Sequence, residues 1–229
     1  MNIQTAIEEA NFKLKKKKIK SASLDTEILM SSVIKKDRKY VILNLNQILS
    51  NKDVNDFHHL VDQRARGKPI AYLTGKKDFW NNEFEVSKDT LIPRPDSELI
   101  VEEILIETKN KSKLNILDIG VGTGCLLLSV LKERPNFNGV GIDISQKCID
   151  ISKKNTLNLN LINRTKFFKS DIDNFNFGKY DLIISNPPYI NKVDLSRLDD
   201  GVRLYEPRLA LYGGVTGFDE IKKVIKKSS

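Results

Sequence analysis

Cysteine, histidine, long apolar runs and, over most of the chain, an excess of either charge are what this sequence has little of. Two cysteines, Cys125 and Cys148, form no C-x-x-C pair. That excludes a disulfide or zinc framework and makes a reducing, cytoplasmic compartment the expectation. Two histidines, His58 and His59, sit side by side in a polar helical stretch without cysteine or carboxylate at ligand spacing, so no metal site is expected. No apolar run approaches the ~18–20 residues of a membrane span, and the amino terminus alternates polar and apolar residues before running into Lys15–Lys18, unlike a secretory signal. Membrane insertion is therefore excluded. Nearly all of the net charge of +8 sits in the first third. Residues 1–76 carry 15 basic and 8 acidic side chains, whereas 77–229 carry 23 and 22. A basic module joined to a nearly neutral one fits an acidic or ribonucleoprotein partner for the first third, or a biased codon usage that enriches Lys, Asn and Ile. The Lys13–Lys18 run itself reads as a solvated face, and there are no internal repeats.

With 229 residues, 40% hydrophobic and 30% charged, the chain can bury a sizeable core in one large or two small domains. Ile3, Ala6, Ile7, Ala10 and Leu14 recur at helical spacing, as do Leu24, Ile28, Leu29 and Val33, and then Phe57, Leu60, Val61 and Ala65. Gly67 followed by Pro69 ends the last of these helices. Residues 1–75 are thus expected to form a small helical bundle and 76–229 a second domain. Phe79–Val86 predicts a hairpin around Asn81-Asn82. Leu91-Ile92-Pro93-Arg94-Pro95-Asp96 predicts a stiff extended segment, with Asp96 or Ser97 capping the helix that carries Leu99, Ile100, Ile104 and Leu105. After Ser112, strands at 115–119, 139–144, 165–168 and 181–185 alternate with helices at about 124–134 and 146–158, the pattern of an α/β domain with a parallel sheet.

Chemistry concentrates at the strand ends. Gly120-Val121-Gly122-Thr123-Gly124 leaves the first strand and opens a helix, where glycines let backbone approach a ligand. Its G-x-G-x-G spacing differs from the dinucleotide fingerprint, so a pyrophosphate cradle is not the favoured reading. Asp143, 19 residues after Gly124, ends the second strand, where a carboxylate accepts from two ribose hydroxyls. Asp171 follows the third strand, placed to accept from an adenine amine with Ile172 against the ring; either aspartate is alternatively a helix cap. The fourth strand ends in Asn186-Pro187-Pro188-Tyr189. Two prolines fix φ and remove two N–H donors, so the Asn186 side chain and the Pro187 carbonyl region face a ligand as acceptors. With the Tyr189 ring on its flat face, the tetrapeptide is a grip for an amide or an exocyclic amine. Cys125, in the first turn after the loop, reads as a packing residue.

Asp118–Gly124, Asp143 and Asn186–Tyr189 resemble the S-adenosylmethionine-dependent amino-methyltransferases. Arg66–Gly75, Phe79-Trp80, Leu91–Glu98 and Val202–Pro207 narrow the resemblance to the PrmC/HemK family, which methylates the glutamine of a Gly-Gly-Gln motif in class 1 peptide chain release factors. It covers about Leu24 to Phe218. It implies S-adenosyl-L-methionine as cofactor, held by Gly120, Val121, Gly122, Thr123, Gly124, Asp143, Asp171, Ile172 and Asn186. Asn186, Pro187, Pro188 and Tyr189 then form the catalytic grip, residues 1–75 dock the release factor, and no metal takes part. The implied fold is an amino-terminal helical bundle plus a Rossmann-like methyltransferase domain. The family sheet has seven strands, and with forty residues after Tyr189 three carboxyl-terminal strands are expected to be missing, leaving an incomplete parallel sheet with strand 181–185 at a free edge and a chain inclined to associate.

Two other readings compete. An adenine N6 DNA methyltransferase would use the same grip, but base flipping needs a groove-binding element, and the small helical domain lacks interleaved aromatics that would suggest one. The other is a shortened, catalytically silent chain that still binds cofactor or partner.

Overall fold

The computed structural model describes residues 1–228 and divides into two compact units, Met1–Thr74 and Gly75–Ser229. In the first unit, α1 (Ile3–Lys16), α2 (Ala22–Ile34), α3 (Arg38–Leu43), α4 (Asn51–Ala65) and α5 (Ile70–Thr74) surround one core. Ile3, Leu14, Leu29, Met30, Val41 and Phe57 are fully buried in it. Side-chain oxygens cap three of these helices: Asn2 accepts from Thr5 N, Asp37 from Tyr40 N and Ser50 from Asp53 N, the donors a helix start leaves unpaired.

The single stripe expected for α2 is not found. Leu24 is exposed, and the buried positions are Ala22, Asp25, Thr26, Leu29 and Met30. Because α1, α3, α4 and α5 all pack on α2, small and polar residues face neighbours on several sides. Asp25 tolerates burial because Arg64 Nε donates to it at 2.6 Å and the Ser21 hydroxyl at 3.0 Å.

The second unit opens with a hairpin, β1 (Lys76–Phe79) and β2 (Asn82–Glu85), paired Phe79 to Asn82. The turn is therefore Trp80-Asn81, one residue earlier than expected, and both residues have positive φ, 46° and 58°. Tertiary anchors override the turn preference of tryptophan: Trp80 N donates to Glu98 at 2.9 Å and its indole Nε1 to Glu133 at 3.0 Å. A 3-10 turn, Pro95–Ser97, leads into α6 (Glu98–Glu107), and neither Asp96 nor Ser97 caps it through its side chain.

β3 (Asn115–Ile119), α7 (Cys125–Glu133), β4 (Asn138–Asp143), α8 (Gln146–Asn158), β5 (Thr165–Lys169) and β6 (Leu182–Ser185) follow. The four strands form a parallel sheet in the order β5-β4-β3-β6. Register at one edge is fixed by Asp181, whose carboxylate accepts from Asn115 N at 2.7 Å while its own N–H donates to Asn115 O at 2.9 Å. Leu126, Leu127, Val130 and Leu131 of α7 pack with Val101 and Ile104 of α6 on one sheet face; Leu117, Ile119, Ile142, Ile172 and Phe175 cluster on the other. Among the described residues β6 has β3 as its single strand partner. The short helices α9 (Lys192–Leu195) and α10 (Asp200–Arg203) come next, and α11 (Asp219–Ser228) packs against the turn after β5. No described helix is long and apolar enough to cross a membrane.

Candidate active site

All four strands end on one edge of the sheet, and a cavity of about 530 Å³ opens there. That volume suits a small-molecule ligand. Gly120, Val121, Gly122, Thr123, Asp143, Asp171, Ile172, Asn186, Pro187 and Pro188 all line it. Gly124 and Tyr189 do not. Gly124 starts α7 with its back to Leu128, and Tyr189 is 64% exposed.

The glycine loop is held from behind by backbone. Gly120 N and Val121 N both donate to Ile142 O at 2.9 Å, and Ser152 Oγ donates to Gly122 O at 2.8 Å. Its front is open: φ is +76° at Gly120 and +55° at Gly122, and a methyl group built on Gly120 would meet nothing within 4 Å. A side chain there would adopt a strained conformation and fill the approach to the backbone. Asn155, fully buried in α8, spans between Thr123 O at 2.9 Å and both backbone groups of Glu85, at 2.7 and 3.0 Å, so the hairpin braces the same loop.

Asp143 is not the cap of α8, since Ser145 accepts from Cys148 N. Its two oxygens accept from Gly122 N at 3.0 Å and Ser145 N at 2.8 Å. Burial pushes its carboxyl above the ordinary range, and these N–H donors oppose the rise. Each oxygen keeps a further lone pair for a ligand hydroxyl. Asp171 does cap the turn Ile172–Asn174, accepting from Asp173 N at 2.8 Å, and Ile172 lies buried beside it.

At the end of β6, Asn186 Nδ2 donates to Ser97 Oγ at 3.2 Å. With the amide nitrogen engaged, Asn186 presents its oxygen as acceptor. The chain after it is fixed from outside: Ile190 N donates to Leu211 O and Gly213 N to Ile190 O, each at 3.0 Å. A Cβ on Gly213 would stand 2.4 Å from Pro188 O, so only glycine allows this close approach.

Three further groups stand at the site that the sequence pattern does not assign to it. Asp118 is 1% exposed, one of its oxygens has no partner, and burial pushes its carboxyl up to about 7. Arg94 lines the cavity and donates to Glu206 Oε1 at 2.6 Å, a pairing across 112 residues. Ser97, expected to cap α6, bonds Asn186 instead. The acid heading the glycine loop is the sequence signal for Asp118; for Arg94 it is the pair of segments 91–98 and 202–207. Burial pushes the Cys125 and Cys148 thiols up to about 12, which leaves both as packing residues. Among the described residues no cluster of His, Cys, Asp and Glu can hold a metal.

A glycine loop, an acid at the second strand end and an Asn-Pro-Pro-Tyr turn on an open parallel sheet define a Rossmann-like methyltransferase. Residues 96–198 match the family described as methyltransferase small domain and residues 5–75 that described as PrmC N-terminal domain. The catalytic domain of human Mettl16, solved with a MAT2A 3′UTR hairpin, shares the fold at a TM-score of 0.55 and 16% identity, covering 74% of this chain and 62% of that one. The chain is 38% identical to the release factor glutamine methyltransferase of Buchnera aphidicola subsp. Baizongia pistaciae, over all of its own length and 81% of the relative's. It is 34% identical to that of Caulobacter vibrioides, covering 95% of this chain and 78% of the relative. The bifunctional methyltransferase of Rickettsia typhi is 33% identical over 99% of this chain, which spans about half of that longer relative. The chain belongs to the release factor glutamine methyltransferase family.

Proposed function

We propose that this chain methylates the side-chain amide nitrogen of the glutamine in the Gly-Gly-Gln motif of class 1 peptide chain release factors, with S-adenosyl-L-methionine as donor. The observation that carries it is the Asn186–Ser97 bond, which engages the Asn186 amide nitrogen and leaves its oxygen as an acceptor on a residue lining the same cavity as the glycine loop and Asp143.

The residues present fit the cofactor. Gly120 and Gly122 leave an open cradle, Asp143 keeps lone pairs for the ribose, Asp171 and Ile172 stand ready for the adenine, and the unpartnered oxygen of Asp118 matches an ammonium. When bound, the cofactor supplies an electrophilic methyl group on a sulfonium. The remaining work is orientation. An amide nitrogen is a poor nucleophile because its lone pair is delocalised into the carbonyl. Accepting its two N–H groups at the Asn186 oxygen and the Pro187 carbonyl fixes the plane of the glutamine amide and aims the lone pair; as the N–C bond forms and the S–C bond breaks, the nitrogen gives up one of those protons to water. Proximity of this kind is worth several of the ~7–11 kcal/mol available from orientation. Pro187 and Pro188 contribute no N–H that would compete for those acceptors. Leu91, Pro93, Ile119 and Val121 supply apolar wall, against which a localised positive charge is less well solvated than in water and its dispersal is favoured.

Residues 1–75 are the docking module for the release factor in this reading, and their positive balance suits an acidic surface. The decisive experiment is methyl transfer by the intact chain to a full-length release factor and to DNA, side by side. Transfer to the glutamine alone supports the reading; transfer to adenine alone would replace it with the DNA enzyme, and transfer to neither with a silent binding chain.

A further inference from the structure

The cavity is lined by five acids, Asp89, Asp118, Asp143, Asp171 and Glu220, and by two cations, Arg94 and Lys223. Lys223 is engaged: it donates to Glu220 at 2.8 Å, and Glu220, Asp171 and Asp173 together hold its ammonium above the ordinary lysine value. Its neighbours place it at the Asp171 end. Arg94 belongs to the opposite end, three residues before Ser97, which bonds Asn186.

Arg94 is built to be held still. Pro93 and Pro95 restrict the backbone on either side. Nη2 donates to Glu206 Oε1, whose side chain is 1% exposed and whose other oxygen takes Ile92 N at 3.4 Å. A nearly buried carboxylate costs desolvation, and such a pair is weak evidence of stabilisation by itself. It does fix the guanidinium plane. Arginine offers five N–H donors in a rigid fork, and one partner leaves most of that fork for a ligand. At 36% exposed, the side chain is partly shielded from water, which strengthens a contact with an anion.

We infer that Arg94, positioned by Glu206, binds the α-carboxylate of the cofactor's methionine moiety. This rests on the cofactor reading above. A zwitterionic amino-acid end needs an acid and a base within its own span, and the same cavity offers Asp118 for the ammonium. Without Arg94 a carboxylate would enter a cavity dominated by acids and be repelled. The ligand lacking that carboxylate, more positive by one charge, would then be favoured. The sign of the preference therefore reports on Arg94.

The test compares binding of S-adenosylmethionine and of decarboxylated S-adenosylmethionine by calorimetry, using the full chain and the variants Arg94→Lys, Arg94→Gln and Arg94→Gln/Glu206→Gln. The unsubstituted chain is expected to prefer the carboxylated ligand on the order of 10- to 100-fold, the range of a charge-assisted bond. Arg94→Gln should abolish or invert that preference while changing affinity for the decarboxylated ligand within about threefold. Arg94→Lys should retain part of it, and the double variant, which leaves no unpaired buried carboxylate, should behave as Arg94→Gln. Equal affinity of the unsubstituted chain for the two ligands overturns the inference without any variant. So does an equal loss for both ligands in the double variant, which would make Arg94 a structural tie. Failure of the unsubstituted chain to bind either ligand would overturn the cofactor reading and this inference with it.

Discussion

Asn186 and Ser97 are 89 residues apart in sequence and 3.2 Å apart at the cavity, with the asparagine nitrogen donating to the serine oxygen. A serine placed to cap α6 instead holds the residue that follows β6. Replacing Asn186 by alanine should lower methyl transfer by about 10²–10³, the usual effect of losing one transition-state hydrogen bond, with S-adenosylmethionine affinity within several-fold. Ser97→Ala leaves the grip present but unoriented. Turnover should then fall by about tenfold or less while affinity for the cofactor stays put, because one neutral hydrogen bond of about 1 kcal/mol is lost. Near-normal single-turnover rates for Asn186→Ala would remove it from the mechanism.

Asp143 holds Gly122 N and Ser145 N through its two oxygens and also lines the cavity. Asp143→Ala should weaken S-adenosylmethionine binding by more than tenfold, because charge-assisted acceptors are worth about 1.5–3 kcal/mol. Asp143→Asn keeps one acceptor oxygen and should fall between the two. Unchanged calorimetric affinity for the alanine variant would reduce Asp143 to a loop fastener.

How much of this was legible follows from what each feature depends on. Strands 115–119 and 181–185 and the glycine loop are written in local pattern, a short apolar run followed by turn residues, and the structure places them within a residue of the expected bounds. The burial of α2 was not legible, because helical periodicity assumes one buried face and α2 has several neighbours. Nor was the Trp80-Asn81 turn, where long-range bonds to Glu98 and Glu133 outweigh the local preference for Asn81-Asn82. At the site the missed groups are those whose significance lies in a distant partner or in the lack of one: Arg94 with Glu206, and Asp118 with one bare oxygen. Tyr189 was expected over the acceptor from its place beside Pro188, yet it stands mostly in solvent.

Residues Met1–Thr74 form a compact unit of their own, so their removal tests docking. Residues 75–229 alone should bind S-adenosylmethionine as the full chain does, methylate a short Gly-Gly-Gln peptide at a comparable rate, and lose at least tenfold in kcat/KM on a full-length release factor. Binding energy from parts of a substrate remote from the reacting atoms is what positions those atoms. Equal losses on peptide and protein would speak against a docking role.

Asp118 makes stability and binding depend on pH in a direction opposite to most carboxylates. Burial raises its folded value to about 7 from an ordinary 3.8, so between these values the folded chain holds a proton that the unfolded chain has lost. Stability from this group is full below about pH 4 and falls as pH rises toward 7, by roughly 4 kcal/mol across the window. Asp118→Asn removes the titration, so the difference in unfolding free energy between the two chains should slope across pH 4–7, with the variant gaining on the native chain as pH rises. A ligand ammonium bound at Asp118, as proposed above, would favour the ionised form and reverse the effect on binding. S-adenosylmethionine affinity of the native chain should therefore rise on the order of tenfold from pH 5 to 7, whereas the variant should bind weakly with little pH dependence. Denaturant melts and calorimetry over the same buffers measure both. Parallel stability curves for the two chains would show that Asp118 titrates normally and that its bare oxygen finds a partner in solution.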